Sequence, residues 1–242
     1  GLGFMFMTGI LLLASAALMA PFLTGVMGYP IIDAGWLLGS RGIGMAIAML
    51  FAGRIMTYSG PRPMLFAGLA LSAGSLYLST GFSPDTPART IVWISMVQGV
   101  GLAFLFVPLN TVALSTLPAA FRTEGTATWT LIRNLGSSIG VSIVIASLVN
   151  KTAVMRARLV ENVTDFNQGL ADPLAAPLNP ATETGRALLE NLVNQQAAIL
   201  AYANDFKLMM VLCLLAMPFV FFIRTPPGLL RNREAAPPPD AH

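Results

Sequence analysis

The sequence predicts an all-α integral membrane protein, a bundle of six transmembrane helices. Three observations carry that prediction. Stretches at about 4–27, 34–57, 63–82, 91–115, 125–149 and 206–224 are apolar and poor in charge, and ~20 such residues cross the ~30 Å hydrocarbon layer of a bilayer. Residues 1–32, 63–84 and 90–121 contain no Asp, Glu, Lys or Arg. Hydrophobic residues make up 55% of the chain against 10% charged, with a mean hydropathy of +0.70. Such a balance excludes an ordinary water-soluble domain. Lipid permits only helices and closed barrels, and barrel strands alternate apolar and polar over ~10 residues. These runs are twice that length and apolar on all sides.

The first stretch has no basic flank and five more follow it, so it is a span and not a signal peptide. The chain starts at Gly1, three residues before that stretch, and reads as a piece of a longer polypeptide. Asp33 opens the second span in the manner of an N-cap. Arg41 follows eight residues later, ~12 Å into the helix. The fourth span carries Gln98, Phe104, Phe106, Pro108 and Asn110. Pro108 removes a backbone donor, which predicts a kink. In the fifth span Arg133 lies eleven residues past Arg122, ~16 Å deep and close to the midplane. Thr126, Thr130, Arg133, Ser137 and Gly140 are spaced four, three, four and three apart, which is one helical face. Gly136 and Gly140 form a GxxxG packing pair.

Residues 1–150 thus hold five spans, and 151–205 are predicted to be an extracytoplasmic loop. A proline-rich break at 171–180 interrupts it. Beyond the break, Leu188, Leu189, Leu192, Val193, Ile199 and Leu200 recur at helical spacing. They predict an amphipathic helix with Asn191 and Asn194 toward water and residues 188 and 192 protected. That helix is expected to run on into the sixth span at 206–224, and a tail at 225–242 is expected to be disordered and cytoplasmic. In the short connections and the tail, Arg54, Arg62, Arg122, Arg224, Arg231 and Arg233 fall on the side of the termini and Arg89 opposite. That bias places both termini in the cytoplasm, although Lys151, Arg156, Arg158 and Arg186 in the long connection count against it.

An arginine in a bilayer core costs at least ~2.5 kcal/mol, so it faces a polar interior and marks function. Arg41 and Arg133 are therefore cavity candidates, with a helix clamp as the competing role. Gln98, Phe104, Asn110, Trp129, Asn134 and Ser137 are the other candidates to line a substrate cavity. The only histidine is His242 and the only cysteine Cys213. No metal site, cofactor motif or phosphate loop is expected, and nothing suggests nucleic acid. With Asp33 and Glu124 at helix ends, no Asp or Glu is expected inside any span.

Five segments carry a resemblance: GYPIIDAGWLLGSRGIGM (28–45), AGRIMTYSGPRP (52–63), QGVGLAFLFVPLNTVALSTLP (98–118), FRTEGTATWTLIRNLGSSIGVSI (121–143) and QQAAILAYANDFKLM (195–209). Together, in order, they resemble the EmrB/QacA-type drug:proton antiporters, fourteen-helix members of the major facilitator superfamily. The resemblance implies the last six helices of such a protein in a bacterial cytoplasmic membrane. It implies proton-coupled export of lipophilic drugs or related small molecules by alternating access. It also implies as partners the lipid bilayer, protons, the missing N-terminal helices and a periplasmic adaptor protein. Asp33, Gly35, Arg41, Gly42 and Gly44 match one family element, with Ser40 where proline is usual. Gly53, Arg54, Gly60, Pro61 and Arg62 match the gating loop, where Thr57 and Tyr58 replace the usual acidic and basic pair. Pro108 and Asn110 match the Pro-Leu-Asn element, and Arg133, Asn134, Gly136 and Gly140 the Arg-Asn-Leu-Gly element. The proton-coupling acids are expected in helices outside this chain. An exporter of one specific metabolite and a non-transporting membrane scaffold or partner subunit remain open alternatives.

Overall fold

The computed structural model describes residues 2–115, 122–161 and 182–222. Its order is α1 (Leu2–Pro21) with a π-helical turn (Phe22–Val26), α2 (Ile31–Ser59), α3 (Pro61–Ser79), α4 (Ala88–Ser115), α5 (Arg122–Glu161) and α6 (Glu183–Ala216). A 3₁₀ turn, Pro218–Phe222, follows α6. No strand occurs among the described residues. The architecture is an all-α membrane bundle. Among the described residues five segments are long and apolar enough to cross a membrane: Gly3–Val26, Ile31–Ser59, Ala88–Val112, Thr123–Arg158 and Glu183–Phe221. The shorter α3, at 19 residues and ~29 Å, packs between α4 and α6. The tail expected at 225–242 and the proline-rich break at 171–180 lie outside the described residues.

In lipid there is no hydrophobic force between apolar helices, so close backbone approach must hold them together. α1 packs on α5, and α2 on α4. At the first crossing Gly136 lies against the backbone of Phe6, and Gly9 against the backbone of Arg133. A Cβ at either position would meet a carbonyl oxygen inside van der Waals contact. Two buried hydroxyls bond back within their own helices: Thr8 donates to the Phe4 carbonyl at 2.8 Å and Ser79 to that of Ser75 at 2.9 Å. This satisfies a group whose isolation in an apolar medium would cost several kcal/mol.

One residue joins α2 to α3. Gly60 is buried, with φ +79° and ψ 171°, a conformation essentially reserved for glycine. Its N–H donates to the Met56 carbonyl at 2.9 Å, and Pro61 starts α3 at a position where no backbone N–H is required. At the other end of the bundle, Phe22 contacts Phe82, Tyr202 and Phe206 at centroid separations of 6.2, 5.1 and 6.2 Å. Those contacts tie the end of α1 to α6. Gln195 on α6 donates to the Val26 carbonyl at 3.3 Å, filling an acceptor left by the π-helical turn.

Two expectations need correction. Asp33 lies in the first turn of α2, and Pro30 is the N-cap. The amphipathic segment runs into the sixth span, as its sequence predicts, in one helix of 34 residues from a Thr182 cap to Ala216. Its packed stripe is also rotated from the expected one. Gly185, Ala197 and Ala201 are buried and Leu189 and Val193 half-buried, at four-residue spacing. Leu188 and Leu192 instead face outward, 46% and 44% exposed. The small residues Gly, Ala and Ala select the seam because they let helices approach closely, which outweighs leucine's greater hydrophobicity here.

Candidate functional site

α4 and α5 bring four of the singled-out side chains together. Asn110 and Phe106 stand one turn apart on α4, and Trp129 and Arg133 one turn apart on α5. The Trp129 indole Nε1 donates to Asn110 Oδ1 at 3.0 Å, and Asn110 Nδ2 donates to the Phe106 carbonyl at 2.8 Å. Arg133 holds its guanidinium over the Phe106 ring, 5.7 Å from the centroid. The ring's negative face attracts the cation. No carboxylate pairs with Arg133 among the described residues. All four side chains are half-buried. The cluster combines a permanent cation, an amide and two aromatic faces. It can accept an aromatic or aliphatic body and attract a partial negative charge.

Pro108 lies inside α4, which continues through it. Near it, Asn110 Nδ2 donates to the Phe106 carbonyl and the Thr111 hydroxyl to the Val107 carbonyl at 2.9 Å, each bonding back one turn, while the carbonyl that loses its backbone donor to Pro108 is that of Phe104.

Arg41 occupies a different setting. Its guanidinium donates to the Ser15 hydroxyl and to the Leu12 carbonyl of α1, the latter at 3.4 Å. Ser15 in turn donates to the Leu11 carbonyl. The α2 backbone at Arg41 also abuts Gly99 of α4, so this arginine joins three helices at one level.

The remaining candidates separate. Ser137 is buried and its hydroxyl is shared between the carbonyls of Gly9 and Arg133, both at 3.0 Å, so it faces α1 and not the α4–α5 cluster. Gly136 and Gly140 face α1 as well, at Phe6 and Ile10. Asn134 is exposed. Gln98 and Phe104 are half-buried, and the arginine finds Phe106, not Phe104. In the loop element Gly60 and Pro61 are buried, while Gly53, Arg54 and Arg62 are exposed.

One group was missed. Asp205 on α6 is fully buried, and its Oδ1 accepts from Ser147 at 2.8 Å and from Lys151 Nζ at 2.7 Å, both on α5. Asp205 lies on the buried face of a helical segment, Glu183–Phe221, that is long and apolar enough to cross a membrane, so an acidic residue is buried where only helix-end acids were expected. The signal was present in the spacing. Ala201, Asp205, Met209, Cys213 and Ala216 are buried at four-, four-, four- and three-residue intervals, so Asp205 shares the buried face. Placing the start of the sixth span at residue 206 hid it.

Residues 2–155 match the family model described as Major Facilitator Superfamily. The multidrug export protein EmrB of Escherichia coli is 25% identical over 223 residues, 90% of this chain and 43% of the relative. The fatty acid resistance protein FarB of Neisseria gonorrhoeae is 26% identical over 227 residues, 93% of the chain and 44% of the relative. The uncharacterized MFS-type transporter YhcA of Bacillus subtilis is 22% identical over 214 residues, 84% of the chain and 40% of the relative. The chain therefore spans less than half the length of each of these three relatives.

Proposed function

The chain belongs to the Major Facilitator Superfamily and resembles its EmrB-type members, and on that premise we propose that it is the C-terminal six-helix half of a proton-coupled exporter of lipophilic small molecules. The observation that carries the substrate class is the α4–α5 cluster, where Arg133, Phe106, Trp129 and Asn110 offer aromatic faces beside a permanent cation. Relatives named for multidrug export and fatty acid resistance support a lipophilic cargo. In this reading the substrate passes near the midplane between two halves that alternate their access, and further helices cover the apolar outer face of α2, where Ile31, Trp36 and Leu50 are 77–82% exposed. Both termini are cytoplasmic in the bacterial inner membrane, and the α5–α6 connection faces outward.

The cluster's part is recognition. A cation over an aromatic ring contributes ~0.5–2 kcal/mol, and a substrate ring or carboxylate that displaces Phe106 from Arg133 inherits that attraction. The Trp129–Asn110 bond holds the indole at a fixed angle beside it.

The decisive measurement uses the protein in proteoliposomes with an imposed pH gradient and a lipophilic fluorescent drug. Uphill drug movement that collapses when the gradient is dissipated supports the reading. Drug movement insensitive to the gradient removes the proton coupling. Absence of any lipophilic transport, with selective movement of one polar metabolite, favours the specific-exporter alternative.

A further inference from the structure

We propose that Asp205 is a proton-exchange site in which Lys151 serves as a tethered counter-cation, released when a proton takes its place. The use of this site for coupling rests on the antiport reading above; its existence as a proton site does not.

A buried carboxylate is tolerated when its charge is paired and its oxygens are hydrogen-bonded. Asp205 meets that condition on one side only. Both donors, Ser147 Oγ and Lys151 Nζ, converge on Oδ1. Oδ2 is buried and has no hydrogen-bond partner among the described residues. The charge therefore depends on a single cation. That cation is mobile by chemistry and by position: the Lys151 side chain is 32% exposed while that of Asp205 is 0% exposed. A flexible four-carbon stem lets the ammonium return to water.

Among the described residues the elements packed around Asp205 supply no substitute. α1 and its π-helical turn contain no charged residue, and neither does α3 from Met64 to Ser79. The 3₁₀ turn after α6 has none. On α6 itself Tyr202 stands one turn before Asp205, and Lys207 is exposed. On α5, Arg156 is engaged by Glu190 at 2.6 Å. When Lys151 departs, the carboxylate faces an apolar environment without a counter-charge, and a proton on the carboxyl restores neutrality. The exchange balances. A Lys⁺–Asp⁻ pair becomes a neutral carboxylic acid inside and a solvated ammonium outside, and the buried site is neutral in both states. The α5–α6 contact at this level loses its ion pair, so proton binding alters how the two helices are held.

The place along α5 fits access from water. Between Arg133 and Lys151 the chain carries no charged residue, so Lys151 marks the end of an apolar stretch where a helix meets the interface.

The test is infrared difference spectroscopy on the purified full-length protein during acidification, with Asp205→Asn identifying the carboxyl C=O band. A band that appears in the wild type on acidification and is absent from Asp205→Asn is the expected result. In Lys151→Met the same band should already be present at neutral pH, and Lys151→Arg should return it to wild-type behaviour. If Asp205→Asn does not fold, isotope-labelled aspartate in the Lys151 variants gives the assignment. An Asp205 that stays ionised at every pH where the protein is folded overturns the proposal, as does a band that Lys151→Met fails to move. In proteoliposomes, Lys151→Met should lose at least ~10-fold of gradient-driven drug movement and retain drug binding. Wild-type liposomes that move no lipophilic drug would defeat the exporter reading and leave the infrared result standing.

Discussion

Arg41 and Arg133 are the same residue type at comparable depth in neighbouring parts of one bundle, yet their surroundings differ. Arg41 directs the two N–H donors of Nη2 to a hydroxyl and a carbonyl of α1, fixing two helices together. Arg133 meets the face of Phe106, an interaction that leaves its in-plane N–H donors directed elsewhere. One arginine is consumed by the fold and the other is presented by it. Sequence depth alone does not tell them apart, because the cost of burial is the same for both. What separates them is the partner: a small serine of α1 for Arg41 and an aromatic ring of α4 for Arg133.

The most severe way to break the contrast is to move the helix that presents Arg133. Gly136→Leu places a side chain into the Phe6 backbone. It should cost ~3 kcal/mol or more by overpacking, read as loss of monodisperse protein after detergent extraction. The Arg41 contact joins α2 to α1 at Ser15, about two and a half turns along α1 from Phe6, so a cysteine crosslink between positions 15 and 41 should still form in whatever protein remains.

Next comes the presented arginine itself. Arg133→Ala should reduce export at least ~10-fold, equivalent to ~1.4 kcal/mol, with melting temperature nearly unchanged and normal membrane insertion. Export equal to wild type at equal expression would make Arg133 a clamp like Arg41.

Arg41→Met sharpens the comparison from the opposite side. Losing charged hydrogen bonds to Ser15 and Leu12 should destabilise by ~1.5–3 kcal/mol in thermal unfolding, while drug affinity of the folded fraction is preserved. A variant that melts normally but binds drug weakly would exchange the roles of the two arginines.

The smallest effect belongs to Trp129→Phe. It leaves Asn110 Oδ1 without its donor and should cost ~0.5–1.5 kcal/mol, with a few-fold weaker binding of aromatic drugs measured by fluorescence quenching.

Much of this was legible because helical spacing is a strong constraint. Trp129 and Arg133 are four residues apart, so they share a face whatever the neighbour, as do Phe106 and Asn110. The neighbour itself was not legible. Ser137 belongs to the same polar face as Arg133 yet bonds to Gly9, because a few tens of degrees of rotation turn a side chain from α4 toward α1. Phe104 and Phe106 differ by two residues, and only the packing chooses Phe106 for the guanidinium. Asp205 escaped because hydropathy averages over a window, and one carboxylate among apolar neighbours shifts a boundary before it reveals a site. The stripe on α6 was misjudged where leucine was weighted above Gly185 and Ala197, although small residues determine how near two backbones can come.

The lengths of α5 and α6 have a mechanical consequence. At 40 and 34 residues they measure ~60 and ~51 Å, against ~30 Å of hydrocarbon. Lys151–Asp205 and, further out, Arg156–Glu190 brace them at two heights. Gly136, seated on Phe6, serves as a fulcrum, with the end of α5 at Glu161 ~38 Å away. A tilt of ~10° about that point sweeps the tip by ~7 Å, far more than the same tilt moves Arg133, ~5 Å from the pivot. The hairpin is a lever whose short arm carries the presented arginine and whose long arm carries the ion-paired braces, so a small shift at the cluster becomes a large displacement at the far end.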